Sequence, residues 1–86
     1  MSLQEYRKKI DALDEQLLEL VVKRLKICQE IAKYKQENKL PIQNKKREQE
    51  LIKNRIEKLK ELGFDDQEFV QELFELIMKK SREVQR

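Results

Sequence analysis

Apolar residues recur at alternating spacings of three and four along the first 34 residues, which is typical of a helix that packs along one continuous seam. The pattern predicts a first helix over about residues 2–38, with Ser2 as its N-cap. Such a helix is about 50 Å long, too long for a compact monomer, whose radius of gyration should be about 12 Å. We therefore expect a second copy of the same helix to cover the seam, which comprises Leu3, Tyr6, Ile10, Leu13, Leu17, Leu20, position 24, Ile27, Ile31 and Tyr34.

A loop separates this helix from the rest of the chain. Pro41 cannot continue a helix and favours an extended conformation for the residue before it, so residues 39–43 are predicted to form the loop. Asn44 is a suitable N-cap for a second helix over about residues 45–62. Gly63 follows that helix as a residue that readily adopts positive φ, which indicates its C-terminal end.

A third helix is predicted over about residues 66–85. Asp65, with Glu68 three residues later, has the pattern of a capping box that opens it. Both later helices have one apolar side that would face a core. These sides comprise Leu51, Ile52, Ile56, Leu59 and Leu62 in the second helix, and Phe69, Val70, Leu73, Phe74, Ile77, Met78 and Val84 in the third.

Composition agrees with this division into helices. The chain has 86 residues with one Gly, one Pro and no Trp, and it is rich in residues that favour helix over strand. We predict an all-α fold in one domain, residues 1–86, with three helices per chain. A single core is only just sufficient at this size, so we expect an intertwined antiparallel homodimer that forms a six-helix bundle.

Several kinds of site and partner are disfavoured. With one cysteine, Cys28, and no His, we predict no internal disulfide and no metal site, and Cys28 is expected to be a small buried residue. The absence of a long apolar run predicts a cytoplasmic chain that does not span or bind a membrane. The net charge of +3 comes from 20 Lys+Arg interleaved with 17 Asp+Glu, so nucleic-acid binding is not expected. The run at residues 45–47 is a weak basis for it, since a solvated helix start explains three cations better.

Two cations on the first helix suggest an anion site. Arg24 occupies a seam position, where a charge is costly unless it is paired; it could alternatively set the register of a coiled coil. Lys35 lies 11 residues later on nearly the same side, roughly 16 Å along the axis. Arg7 is about 42 Å from Lys35 along the helix. In an antiparallel two-fold dimer, however, Arg7 would enter the partner's site, so that each of two equivalent sites is shared between chains.

The other helices offer further polar residues. Arg47 and Glu48 lie in the first turn of the second helix, and Glu48 is in line with the apolar side and should face inward. The alternative is that Glu48 is only favourably placed near the helix N-terminus and that Arg47 is a surface residue. In the third helix Ser81 and Gln85 share a face at a spacing of four, where the alternative is an ordinary frayed C-terminus.

Together these residues resemble the all-helical chorismate mutase family along essentially the whole chain. The stretch RKKIDALDEQLL at residues 7–18 is similar to the family's opening pattern R-x-x-I-D-x-L-D-x-x-[IL]-L. At the expected distances it is followed by Arg24, Lys35, Pro41-Ile42, Arg47-Glu48, Ser81 and Gln85. The resemblance implies a cofactor-independent pericyclic rearrangement of chorismate to prephenate, on the route to phenylalanine and tyrosine.

Residue roles follow from the resemblance by position. It implies that Arg24 and the partner's Arg7 bind the two carboxylates of the substrate dianion, with Arg47 adding to one of them. Lys35 and Gln85 would donate to the ether oxygen, Glu48 would accept the ring hydroxyl, and Ser81 would contact a carboxylate region. The implied catalytic set is therefore Lys35, Gln85, Arg24 and Glu48, and the implied binding set adds Arg7, Arg47 and Ser81.

Asn44 departs from the family pattern, because several relatives have Asp there, and it is left out of the predicted site. Two other functions remain open: an isochorismate-pyruvate lyase on the same fold, and a non-catalytic regulatory or dimerisation module. Association with another enzyme of aromatic biosynthesis is left open by the sequence. We favour the mutase because the family's positions are filled throughout, whereas a plain coiled coil has little reason to keep Arg7, Arg24, Lys35 and Arg47 together.

Overall fold

The computed structural model describes residues 1–86 and confirms the all-α prediction. It has three helices, α1 (Leu3–Glu37), α2 (Lys45–Glu61) and α3 (Gln67–Glu83), and no strand. The predicted helices over 2–38, 45–62 and 66–85 differ from these bounds by no more than two residues. No helix combines the length and apolarity needed to cross a bilayer.

Two of the predicted helix starts and one helix end are confirmed in atomic detail. Ser2 accepts a hydrogen bond on its Oγ from the Glu5 N–H at 3.2 Å, and Asn44 accepts one on its Oδ1 from the Arg47 N–H at 3.0 Å. Each contact satisfies a backbone donor that the first helical turn leaves without a partner. Gly63 follows α2 with φ of +92°, a conformation that an L side chain would disfavour.

The predicted cap of the third helix was wrong by one residue. Asp66, not Asp65, is the N-cap, and its Oδ1 accepts a hydrogen bond from the Phe69 N–H at 3.0 Å. Two consecutive Asp residues offer equivalent carboxylates, and the one at the correct distance from the first free N–H groups becomes the cap. Asp65 remains exposed, with Lys60 Nζ 4.0 Å from its Oδ1.

Helix α3 holds the chain together, because it packs on both other helices while α1 and α2 make no close backbone contact with each other. Only five residues are buried, and they lie where α3 meets its neighbours: Cys28, Leu51, Val70, Met78 and Ser81. The burial of Cys28 confirms its predicted role. The chain is elongated, with extents of 55 × 24 × 16 Å and a radius of gyration of 16.1 Å, well above the value expected of a compact monomer.

The predicted seam of α1 is uncovered within the chain. Its residues from Leu3 to Leu20 are between 51% and 64% exposed. Helix α3 covers only the C-terminal part of α1, where Arg24 of the seam contacts Ser81 and where Cys28, beside the seam, is buried. Ile27 and Tyr34 stay exposed although α3 is close by.

Candidate active site

The predicted polar residues of the three helices meet around one cavity of about 170 Å³. It lies between the C-terminal part of α1, the first turn of α2 and the last turn of α3. Six of the seven residues predicted for the site line it: Arg24, Lys35, Arg47, Glu48, Ser81 and Gln85. Residues that are 57 positions apart in the sequence, Arg24 and Ser81, are in direct contact there.

Arg24 is held by two neighbours. Its Nη1 donates a hydrogen bond to Ser81 Oγ and lies 3.9 Å from Cys28 Sγ. Ser81 in turn donates its hydroxyl proton to the Ile77 carbonyl at 2.8 Å, so that its lone pairs face the guanidinium. The guanidinium has five N–H donors, and only Nη1 contacts the protein, so most of its donors remain available to a ligand.

Lys35 is positioned by the loop that follows its own helix. The Leu40 N–H donates to the Lys35 carbonyl at 2.8 Å, and the loop then turns back so that the Ile42 carbonyl accepts a hydrogen bond from Lys35 Nζ at 2.6 Å. Lys39 makes this turn with φ of +55°. An ammonium group has three donors, so two remain after the bond to Ile42.

The first turn of α2 contributes a cation and a carboxylate. The Arg47 guanidinium is exposed and has no hydrogen bond or ion pair within the chain, whereas Glu48 Oε1 is 2.8 Å from Arg82 Nη1 of α3. Gln43 Nε2 also approaches Glu48 Oε1, at 3.5 Å. Because this is a helix N-terminus, its dipole adds positive potential at the cavity.

Gln85 lies at the C-terminal end of the site, just past α3. Its Nε2 donates to the Ser81 carbonyl at 3.0 Å, while its Oε1 is buried without a hydrogen-bond partner. A buried amide oxygen without a partner is unusual and costs free energy comparable to a lost hydrogen bond. The second N–H of the amide is also unused, so Gln85 has hydrogen-bonding capacity to offer a ligand.

Arg7 is the one predicted residue that the chain does not bring to the cavity. It lies on the exposed part of α1, 17 residues before Arg24, which is about 26 Å along the helix axis. This agrees with the expectation that Arg7 cannot serve a site in its own chain.

Sequence reasoning missed two polar residues that line the cavity. Asn44 was left out of the predicted site because several relatives have Asp there, yet it lines the cavity while it caps α2. Arg82 was not considered, although it follows Met78 by four residues and precedes Gln85 by three, which places it on the same face of α3. That spacing could have identified Arg82. The remaining lining is mostly apolar and comprises Cys28, Ile31, Ile42, Leu51 and Met78.

The charges around the cavity determine the kind of ligand that fits it. Four cations, Arg24, Lys35, Arg47 and Arg82, face it together with one carboxylate, Glu48. Only Arg82 is paired with that carboxylate, and no carboxylate of the chain lies within 4.0 Å of the other three. The fold and site define a three-helix chain built to bind a small, multiply charged anion.

Comparison with known proteins identifies the family. Residues 6–86 match the sequence profile of the family described as chorismate mutase type II. The chain belongs to this family. It is 34% identical over 80 residues to a protein of Buchnera aphidicola subsp. Baizongia pistaciae (strain Bp) named bifunctional chorismate mutase/prephenate dehydratase. The match covers 93% of this chain but only 21% of that relative, so the chain spans about a fifth of the relative's length.

Proposed function

We propose that this chain is a chorismate mutase, an isomerase that converts chorismate to prephenate by an intramolecular rearrangement. One observation carries the proposal: Arg24, Lys35 and Arg47 line one cavity, and none of them has a carboxylate partner within the chain. Three unpaired cations at one cavity are unfavourable unless an anion binds among them. A substrate with two carboxylates supplies the missing charge.

Substrate binding would use the free donors described above. Arg24 and Arg47 each bind a carboxylate, because a guanidinium can donate two parallel hydrogen bonds to its two oxygens. Ser81 contributes near the Arg24 carboxylate, since it lies against the same guanidinium. Glu48 accepts a hydrogen bond from the ring hydroxyl.

Catalysis would come from positioning and electrostatics. The ether C–O bond breaks as the new C–C bond forms within one molecule, and negative charge grows on the ether oxygen. Lys35 and Gln85 each have an unused N–H donor that can stabilise this charge. The cavity also holds the flexible side chain of the substrate over its ring in a reactive conformation. No proton transfer or nucleophile is needed, which suits a chain without His.

The complete site would be formed by two chains in an antiparallel homodimer. The exposed seam and the small core of a single chain support this assembly, because apolar surface of this extent needs a partner. The two-fold axis brings the N-terminal half of one α1 beside the C-terminal half of the other. Arg7 of one protomer then supplies a further cation to the site of its partner.

The direct test is turnover by the purified chain. We expect chorismate to disappear and prephenate to accumulate, with a rate enhancement of at least about 10⁶-fold over the uncatalysed reaction. A parallel incubation with isochorismate, assayed for released pyruvate, separates the mutase from a lyase on the same fold. Turnover of isochorismate alone would assign the lyase activity, and inertness towards both substrates would assign a non-catalytic module.

The relative's name also concerns the enzymes with which a chorismate mutase is combined. That name joins a chorismate mutase with a prephenate dehydratase in one protein. On this basis we propose that the present chain acts together with another enzyme of aromatic biosynthesis. Co-purification of such an enzyme, with a higher rate of prephenate consumption in the complex than in the separated components, would support this association.

A further inference from the structure

The ion pair between Glu48 and Arg82 is the only salt bridge that joins two helices. Glu48 Oε1 and Arg82 Nη1 are 2.8 Å apart, and the two side chains are only 20% and 23% exposed. The other ion pairs of the chain are longer and connect exposed side chains, which contribute little. A pair that is mostly withdrawn from water is held in a defined geometry and is costly to break.

The contacts of Glu48 are all on one carboxylate oxygen. Arg82 Nη1 at 2.8 Å and Gln43 Nε2 at 3.5 Å both approach Oε1. Oε2 accepts no hydrogen bond within the chain. With Oε1 fixed from the α3 side, the orientation of the carboxylate is set and Oε2 is left to accept a hydrogen bond from a ligand.

The pair also controls the charge that the ligand meets. An unpaired Glu48 would repel a dianion and would weaken the positive potential that Arg47, its neighbour in the first turn of α2, adds to the cavity. With Glu48 neutralised by Arg82, the guanidinium of Arg47 stays free of carboxylate partners. The cavity can then hold an acceptor for a hydroxyl group without weakening its attraction for two carboxylates.

We infer that Arg82 is a positioning residue, which acts through Glu48: it orients this carboxylate towards the ring hydroxyl of the substrate and keeps its charge away from the substrate carboxylates. The inference rests on the proposed function, because it assigns Glu48 to the ring hydroxyl. It adds a residue of α3 that has no direct contact with the reacting atoms.

The test is a double-mutant cycle on kcat/KM for chorismate, with the wild type, Arg82→Met, Glu48→Gln and the double variant. We expect Arg82→Met to lower kcat/KM about tenfold in the wild-type background and less than about twofold in the Glu48→Gln background, since residues in one ion-pair network are strongly coupled. Arg82→Lys keeps the charge and should recover part of the loss. Lys79→Met, an exposed change on the same helix, is the matched control and should leave kcat/KM unchanged.

A second measurement separates positioning from a general loss of structure. With a chorismate analogue that lacks the ring hydroxyl, Arg82→Met should lower kcat/KM less than with chorismate, because the group that Glu48 contacts is missing and only the repulsion between Glu48 and the substrate carboxylates remains. A merely structural role of Arg82 would lower kcat/KM equally for both substrates and in both backgrounds, and it would overturn the inference. Unchanged kcat/KM in Arg82→Met would overturn it too.

Failure of the proposed function gives a different result. If the wild-type chain does not convert chorismate, the proposed function and this inference both fail. If the wild type is active but Arg82 and Glu48 are uncoupled, only the inference fails. Should Arg82→Met not fold, as judged by circular dichroism, Arg82→Lys takes its place in the cycle, and additive effects of Arg82→Lys and Glu48→Gln would then contradict the inference.

Discussion

The two halves of α1 share one apolar pattern but differ in their surroundings. All residues from 3 to 23 are exposed, whereas the part from Arg24 onward packs on α3 and carries Arg24 and Lys35 into the cavity. The C-terminal half is therefore partly packed within its own chain, and Arg24 and Lys35 are held there by hydrogen bonds. The N-terminal half has the same kind of seam and one predicted site residue, Arg7, but nothing of its own chain to pack against.

The apolar pattern of a helix therefore does not reveal whether its own chain or a partner chain covers its apolar side. Within one chain, α3 covers only part of α1, because α3 has 17 residues and α1 has 35. At 1.5 Å per residue, the shorter helix is about half as long as the longer one. The antiparallel homodimer that we propose resolves the difference, since each N-terminal half would pack on its partner.

The largest effect is expected from a charge in the seam of the N-terminal half. Leu13→Asp would place a carboxylate at the centre of the proposed interface, where burial of an unpaired charge costs several kcal/mol. We expect the dimer to dissociate and activity to fall to background, as measured by sedimentation velocity and chorismate turnover. Leu62→Asp is the matched control, because Leu62 lies outside the seam and is 70% exposed. A Leu13→Asp variant that remains a fully active dimer would refute the proposed interface.

The next largest effect is expected in the C-terminal half of α1, which packs on α3. Arg24→Ala removes a guanidinium that contacts Ser81 and faces the cavity, and we expect kcat to fall by about 10²- to 10³-fold, as for other preorganised donors. Lys23→Ala, one residue earlier on the exposed surface, should keep full activity. If both variants had the activity of the wild type, Arg24 would have only a structural role.

These predictions rest on features that the sequence revealed to different degrees. Helical periodicity predicted that Arg24 and Lys35 project to nearly the same side of α1 and that Glu48 faces inward. Only the resemblance to the chorismate mutase family implied that the three residues share one site. Asp65 and Asp66 could not be distinguished, since both are followed by suitable N–H groups and only the packed helix selects one of them. The partnership of Glu48 and Arg82 joins residues 34 positions apart and depends on how α2 packs on α3. No local pattern reports such a contact.

A mixing experiment tests whether the two halves of α1 meet across chains. Arg7→Ala and Arg24→Ala should each be nearly inactive alone. In a heterodimer of the two, one site contains both substitutions and the other contains neither, if each site takes Arg24 from one chain and Arg7 from the partner. Random exchange makes about half of the dimers heterodimers, so about a quarter of wild-type activity should return.

Exchange has to be shown independently of activity, for example by mass spectrometry of dimers in which one variant is isotopically labelled. No recovery after complete exchange would mean that each chain uses its own Arg7, whereas full activity of Arg7→Ala alone would mean that Arg7 has no role in the site. Recovery above about half of wild-type activity is equally incompatible with sites shared in this way, because only one site of each heterodimer can be intact.

The smallest effect is expected at Ser2, the N-cap that precedes the exposed N-terminal half of α1. Ser2→Ala removes the hydroxyl that caps α1 by accepting a hydrogen bond from the Glu5 N–H, and the loss of such a cap costs about 1 kcal/mol. Thermal unfolding of the dimer should show this decrease, with kcat/KM unchanged because Ser2 precedes Arg7, the nearest predicted site residue, by five residues, about 7.5 Å along the helix. Ser2→Asp, which retains a capping oxygen, should restore the stability. A lower kcat/KM for Ser2→Ala with an unaltered unfolding temperature would contradict this prediction. The N-terminal end of α1 would then lie nearer to the partner's cavity than the position of Arg7 in the proposed antiparallel dimer implies.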